Sequence, residues 1–74
     1  MANKLCECCK LEVVEIGASE ICPLCGWEDD EYQNDYPNYA GGANDLSLNE
    51  YRKHWLAFHK KYPDTSFSRG DIKL

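Results

Sequence analysis

Long apolar runs are missing from this sequence. The longest extend over only a few residues, so no segment is fit to span a bilayer. The opening residues Met1-Ala2-Asn3-Lys4 lack the apolar core of a secretory signal, and the expected location is the cytoplasm, where thiols stay reduced. Catalytic constellations are also missing. There is no Ser–His–Asp set, no nucleophile elbow and no carboxylate spacing that marks a catalytic pair, so the expectation is a protein that is not an enzyme. Internal repeats and low-complexity tracts are absent. Basic residues are scarce in the first part of the chain. Residues 1–45 set Lys4 and Lys10 against ten acids, a net of −8, whereas residues 46–74 set six basic residues against Glu50, Asp64 and Asp71, a net of +3. An acidic face repels phosphate backbones, which disfavours general nucleic-acid binding.

Cysteine, by contrast, is plentiful, with five in 74 residues. Cys6 and Cys9 form one C-x-x-C pair, Cys22 and Cys25 form a second, and 12 residues lie between them. That is the spacing of a tetrahedral four-thiolate zinc site. Such a site has no open coordination position, so one structural Zn²⁺ would staple a chain too short for a large core and would do no hydrolysis. An odd number of cysteines fits a disulfide framework poorly. Two alternatives stay open: a redox role for Cys22-Pro23-Leu24-Cys25, which would need a βαβ context not evident here, and an iron–sulfur cluster. The role of Cys8 is also open. It either replaces Cys6 or Cys9 as a ligand or remains a free thiol beside the metal.

The remaining patterning predicts a small α+β fold. Leu11-Glu12-Val13-Val14-Glu15-Ile16 reads as a strand, Gly17-Ala18-Ser19 as a turn and Glu20-Ile21-Cys22 as the return, a zinc-ribbon-like hairpin bringing the two knuckles together. Gly26 suits a knuckle position of positive φ, and Lys10, at the matching position of the first knuckle, would bear a cost of roughly 1 kcal/mol there. Residues 28–45 read as an irregular acidic loop with a short helical turn near Asp29–Gln33, either packed down by Trp27, Tyr32, Tyr36 and Tyr39 or carrying function. Ser47 and Glu50 form a capping box, with Leu46 placed to staple onto Tyr51. Leu48, Tyr51, Trp55, Phe58 and Tyr62 then fall on one helical face before Pro63 ends the helix, and Phe67 and Ile72 are anchors for a polar tail. The expected layout is one zinc-binding domain over residues 1–74: knuckle hairpin 5–26, acidic and glycine loop 27–46, amphipathic helix 47–62 and tail 63–74.

Other candidates read more plainly as structure. Glu28-Asp29-Asp30-Glu31, with Asp35, does not fit a calcium loop, since consecutive side chains do not converge on one ion without a special turn. A protein-facing patch or N-terminal helix charge suits it better. Gly41-Gly42-Ala43-Asn44 lacks the Lys-Ser/Thr of a phosphate loop and reads as a turn. His54 and His59, five apart on a helix, cannot grip one metal together.

Taken in order, Cys6-Glu7-Cys8-Cys9, Glu20-Ile21-Cys22-Pro23-Leu24-Cys25, Trp27-Glu28-Asp29-Asp30, Gly41-Gly42-Ala43-Asn44 and Ser47-Leu48-Asn49-Glu50 resemble the cysteine-rich CPCC family of small bacterial proteins. Glu7 stands where that family has proline, and Lys10 where glycine is usual. The resemblance implies zinc binding through the cysteines and no established activity. The functional expectation is a protein-interaction module, an inhibitor or immunity-type binder of a basic protein, that uses Glu28, Asp29, Asp30, Glu31, Tyr32 and Tyr36. The alternative is a nucleic-acid-binding or transcription-associated ribbon using Arg52, Lys53, Lys60 and Lys61.

Overall fold

A computed structural model describes residues 3–15 and 20–72. Two short strands, β1 (Asn3–Leu5) and β2 (Val13–Glu15), run antiparallel with Asn3 opposite Glu15 and Leu5 opposite Val13. The first cysteine pair therefore occupies the connection between them. This revises the hairpin expected from the sequence: the strand around Val13 and Val14 is real, but its partner is β1 rather than the return segment. The expected turn, Gly17-Ala18-Ser19, lies outside the described residues. Ile21 bridges to Glu28, so the second cysteine pair also occupies the bend of its own small antiparallel loop.

Helix α1 (Glu31–Asp35) is a single turn, close to where a helical turn was expected. Asp30 caps it, its carboxylate accepting from the Tyr32 and Gln33 N–H groups. The longer helix, α2 (Leu48–Lys61), begins at Ser47, whose hydroxyl accepts from the Glu50 N–H, and stops before Tyr62 and Pro63 as the sequence predicts. His59, Lys60 and Lys61 fall in its last turn, where positive charge suits the helix dipole. A 3₁₀ turn over Arg69–Asp71 ends the described chain.

The core gathers the five cysteines, Val14, Trp27, Leu48, Tyr51, Trp55 and Phe67. Leu48, Tyr51 and Trp55 are the buried part of the predicted α2 stripe, Phe58 packs at its margin, and Tyr62 is exposed. Tyr51 sets its ring edge-on to Trp27, with centroids 5.4 Å apart, and meets Phe67 at 5.8 Å. Phe67 and Ile72 anchor the tail as expected. His59 stacks on Trp55 at 4.7 Å.

The segment between Trp27 and Leu46 is pinned by amides rather than by its tyrosines. Gln33, fully buried, donates through Nε2 to the carbonyls of Tyr39, Asn44 and Leu46. Its Oε1 accepts from the Asn44 backbone N–H and from Asn44 Nδ2. Asn44, also buried, bonds the Glu28 N–H and carbonyl. Gly42 lies against this pair: a Cβ there would fall 2.7 Å from Asp30 Oδ2 and 2.9 Å from Gln33 Cδ. The glycine-containing segment is thus a turn, as read from the sequence, with the Ala43 N–H donated to Asp30 and the Gly41 N–H to the Asp45 carbonyl.

Truncating Gln33 strips hydrogen bonds from the Tyr39, Asn44 and Leu46 carbonyls and from the Asn44 amide groups. Gln33→Ala should lower the unfolding free energy of the protein by about 2–4 kcal/mol, read from the denaturant midpoint. A loss under about 0.5 kcal/mol would mean that the amide pair does not organise the loop.

Candidate metal centre

Each C-x-x-C pair is set into a tight backbone turn, and the two turns match. In the first, the Lys10 N–H donates to the Cys6 carbonyl at 2.9 Å; in the second, the Gly26 N–H donates to the Cys22 carbonyl at 2.9 Å. The residue closing each turn is left-handed, Lys10 at φ 59° and Gly26 at φ 78°. Lys10 is exposed and pairs with Glu7 at 3.0 Å, so its side chain has room. Gly26 has none. A Cβ there would lie 2.8 Å from Ser68 Cα, 2.8 Å from the Tyr51 hydroxyl and 2.9 Å from the Phe67 carbonyl oxygen.

These turns converge the sulfurs of Cys6, Cys9, Cys22 and Cys25 to within 4.8 Å of one another, all four buried. Cys6 and Cys25 lie 3.6 Å apart, and Cys9 and Cys22 lie 3.7 Å apart, far too long for a disulfide. All five cysteines are free thiols. A regular tetrahedron of metal–sulfur bonds near 2.3 Å has edges of about 3.8 Å, so the donor set fits a tetrahedral metal ion. Among the described residues no other group of His, Cys, Asp and Glu converges in this way. The acidic run at residues 28–31 forms no such cluster.

The four cysteines singled out by spacing are the four whose sulfurs the fold brings together. Cys8 is also buried, but it stands outside the four. The Cys25 thiol is pushed up chiefly by its contact with Cys22, with Cys8 and burial adding to it. Cys6 is likewise pushed up, by its contacts with the Cys22 and Cys25 thiols and by burial. Cys22 is pulled down, chiefly by hydrogen bonds from the Cys25 and Cys6 thiols and further by the backbone N–H groups of Cys25 and Leu24. Buried thiolates packed this closely repel one another, and a divalent cation relieves that repulsion.

Helix α2 grips both knuckles through adjacent residues. Tyr51 donates its hydroxyl to the Cys25 carbonyl at 2.7 Å. Burial, aided by nearby Cys25 and Cys8, holds that phenol above its ordinary pKa and keeps it a donor. Arg52 donates to the Cys8 carbonyl at 3.0 Å and to the Glu7 carbonyl. The tail adds the Phe67 N–H on the Leu24 carbonyl at 2.7 Å. Nothing in residue spacing reveals this clamp, because it joins side chains to main-chain carbonyls more than 25 positions away.

The residues expected to face a partner divide in two. Asp29 is buried and holds Lys4 at 3.0 Å and Asn34 Nδ2 at 2.7 Å, while Asn34 in turn accepts from Trp27 Nε1. Asp30 is the α1 cap, and the Ala43 N–H, with those of Gln33 and Tyr32, holds its carboxyl below the ordinary carboxylate range. Glu28 meets Arg69 at 3.4 Å. Glu31, Tyr32 and Tyr36 are exposed.

Stripping the metal should collapse the far-ultraviolet circular dichroism of the helices, since thiolate–metal bonding supplies on the order of 10 kcal/mol of folding free energy. Cys9→Ser should reproduce that loss, and Cys8→Ser should still bind one metal per chain; equal metal loss in both variants would place Cys8 in the ligand set. The closing residues of the two turns should respond with opposite sign. Gly26→Ala should destabilise the loaded protein by at least about 2 kcal/mol, and Lys10→Gly should stabilise it by about 0.5–1 kcal/mol, both read as shifts in thermal midpoint.

No curated protein matches the chain. The family model described as Cysteine-rich CPCC matches residues 4–62, a span containing both knuckles, the amide-pinned loop and α2. The chain belongs to the cysteine-rich CPCC family.

Proposed function

We propose that this chain is a non-enzymatic structural-zinc protein whose surface binds a partner protein with a basic face, in the manner of an inhibitor or immunity protein. Zinc is the metal favoured by four thiolates in a tetrahedral arrangement, since the ion has no redox chemistry and no geometric demand that such a site would strain. With four buried sulfurs in its shell the ion would have no position for water or substrate, so the role left to it is holding the two knuckles together. A reducing, cytoplasmic compartment would keep the thiols available to it.

The observation that carries the binding role is a charge gap: from residue 11 to residue 51 the chain has ten acids and no Lys, Arg or His. That stretch includes α1 and the loop around it, and a field of one sign steers an oppositely charged partner and speeds its docking. The runner-up, nucleic-acid binding by the basic residues of α2, is weakened at two of its four members. Arg52 is spent on the Glu7 and Cys8 carbonyls, and Lys53 pairs with Glu50 at 3.4 Å. Lys60 and Lys61 remain exposed.

Zinc-loaded protein immobilised and exposed to nuclease-treated lysate of its native host, at low and high salt, should retain a basic protein at near-stoichiometric level, more strongly at low salt. Changing Glu31 and Asp35 together to Lys should slow association with that protein about tenfold at low ionic strength, measured by surface plasmon resonance. Retention of nucleic acid alone from untreated lysate would replace this reading with the α2 one.

A further inference from the structure

Tyr32, Tyr36 and Tyr39 form an aromatic cluster that the fold displays rather than buries. Their rings lie 4.7 Å apart for Tyr32–Tyr36 and 4.8 Å apart for Tyr32–Tyr39, yet the three residues are 55%, 57% and 44% exposed. Packing of the core does not require them there. Their backbone is nonetheless tightly held. The Tyr36 N–H donates to the Tyr32 carbonyl, the Tyr39 N–H to the Tyr36 carbonyl and the Asn49 N–H to the Pro37 carbonyl, while buried Gln33 takes the Tyr39 carbonyl. The backbone that carries the cluster is thus held before any partner arrives, so ordering it costs little on binding. Two acids on the same helical turn, Glu31 and Asp35, are exposed, and neither is joined to a basic side chain among the described residues.

We infer that the Tyr32–Tyr36–Tyr39 cluster, flanked by Glu31 and Asp35, is a docking site for an arginine side chain presented by a basic protein segment. The inference deepens the proposed role as a binder of basic proteins and rests on it for the identity of the partner. Tyrosine faces attract cations through the ring quadrupole, and a planar guanidinium adds stacking that an ammonium does not supply. The flanking carboxylates accept the guanidinium N–H groups in a fork that matches their geometry. A proline-rich segment also uses aromatic surfaces, but it gains nothing from two adjacent carboxylates, and the charge of the surrounding chain favours the cation.

The test uses the full metal-loaded chain and three peptides of equal length: alternating arginine and glycine, the same with lysine for arginine, and a proline-rich sequence. Followed by ¹⁵N–¹H NMR, the arginine peptide should shift amides of residues 31–39 and bind about tenfold more tightly than the lysine peptide. Tyr32→Ala should weaken it about tenfold, and Tyr32→Phe, which keeps the ring, should bind within about twofold of the native chain. Tyr36→Ala is a second, independent variant, and retention of helical circular dichroism identifies which variants remain folded. Equal binding of the arginine and lysine peptides, binding unchanged in both alanine variants, shifts confined to other residues, or preference for the proline-rich peptide would each overturn the inference. A basic partner that binds Tyr32→Ala as well as the native chain overturns the site but leaves the proposed role standing. An arginine peptide that docks on the cluster when no basic protein is retained from lysate overturns the role but leaves the site.

Discussion

Four sulfurs held within 4.8 Å of one another form the constraint on which the rest of this small fold depends. Left as thiols they must share hydrogen bonds, and left as thiolates they repel. The opposite pKa displacements of Cys22 and of Cys6 and Cys25 express that conflict. A cation would resolve it, and the two knuckle turns resolve the accompanying problem of backbone geometry, each closing through one left-handed residue. Regular secondary structure adds little by itself. The β ladder spans three residue pairs and α1 is one turn, neither of which is stable alone. What makes them persist is attachment to the cluster: β1 and β2 flank the first knuckle, the Ile21–Glu28 bridge flanks the second, and α2 fastens to both through Tyr51 and Arg52.

A second organising element lies where no metal reaches. Gln33 and Asn44 bury two primary amides, a costly choice unless every donor and acceptor is met. Here they are met by main-chain groups from Glu28 to Leu46, so the side chains act as the pairing partners that a sheet would otherwise provide. The absence of a side chain at Gly42 lets this network close against Asp30. An irregular loop thereby gains a defined shape without an apolar core of its own, and the tyrosines above it are freed from a packing role.

Much of the architecture was legible in local sequence. Cysteine spacing marked the four cysteines that converge, Ser47 with Glu50 marked the start of α2, Pro63 its end, and periodicity marked Leu48, Tyr51 and Trp55 as its buried face. Gly26 was legible because a tight turn needs positive φ, and the same logic located the left-handed Lys10. The difference between them was not legible. Only the tail and the Tyr51 hydroxyl pressed against Gly26 explain why glycine is required in one knuckle while lysine serves in the other. Strand pairing escaped for a related reason. A three-residue ladder leaves almost no periodic trace, and β1, with Lys4 at its centre, does not read as a strand. The work of Gln33, Asn44 and Arg52 escaped because side-chain bonds to distant carbonyls leave no pattern along the chain.

The same limit applies to charge, and there it changes the functional argument. In sequence, Glu28 to Glu31 is one uniform acidic run; in the fold its members have different jobs. Asp29 is locked between Lys4 and Asn34, Asp30 is occupied by three N–H groups, and Glu28 leans on Arg69. Neutralising those three residues would disturb the loop before it disturbed any partner, so they cannot report cleanly on recognition. On α1 itself, Glu31 and Asp35 are exposed and stand on either side of Tyr32 along the chain. The proposed recognition role therefore narrows from the whole acidic run to Glu31, Asp35 and the exposed tyrosines next to them in sequence. On that proposal, charge set beside aromatic area, rather than the net charge of the chain, would be what distinguishes one basic partner from another.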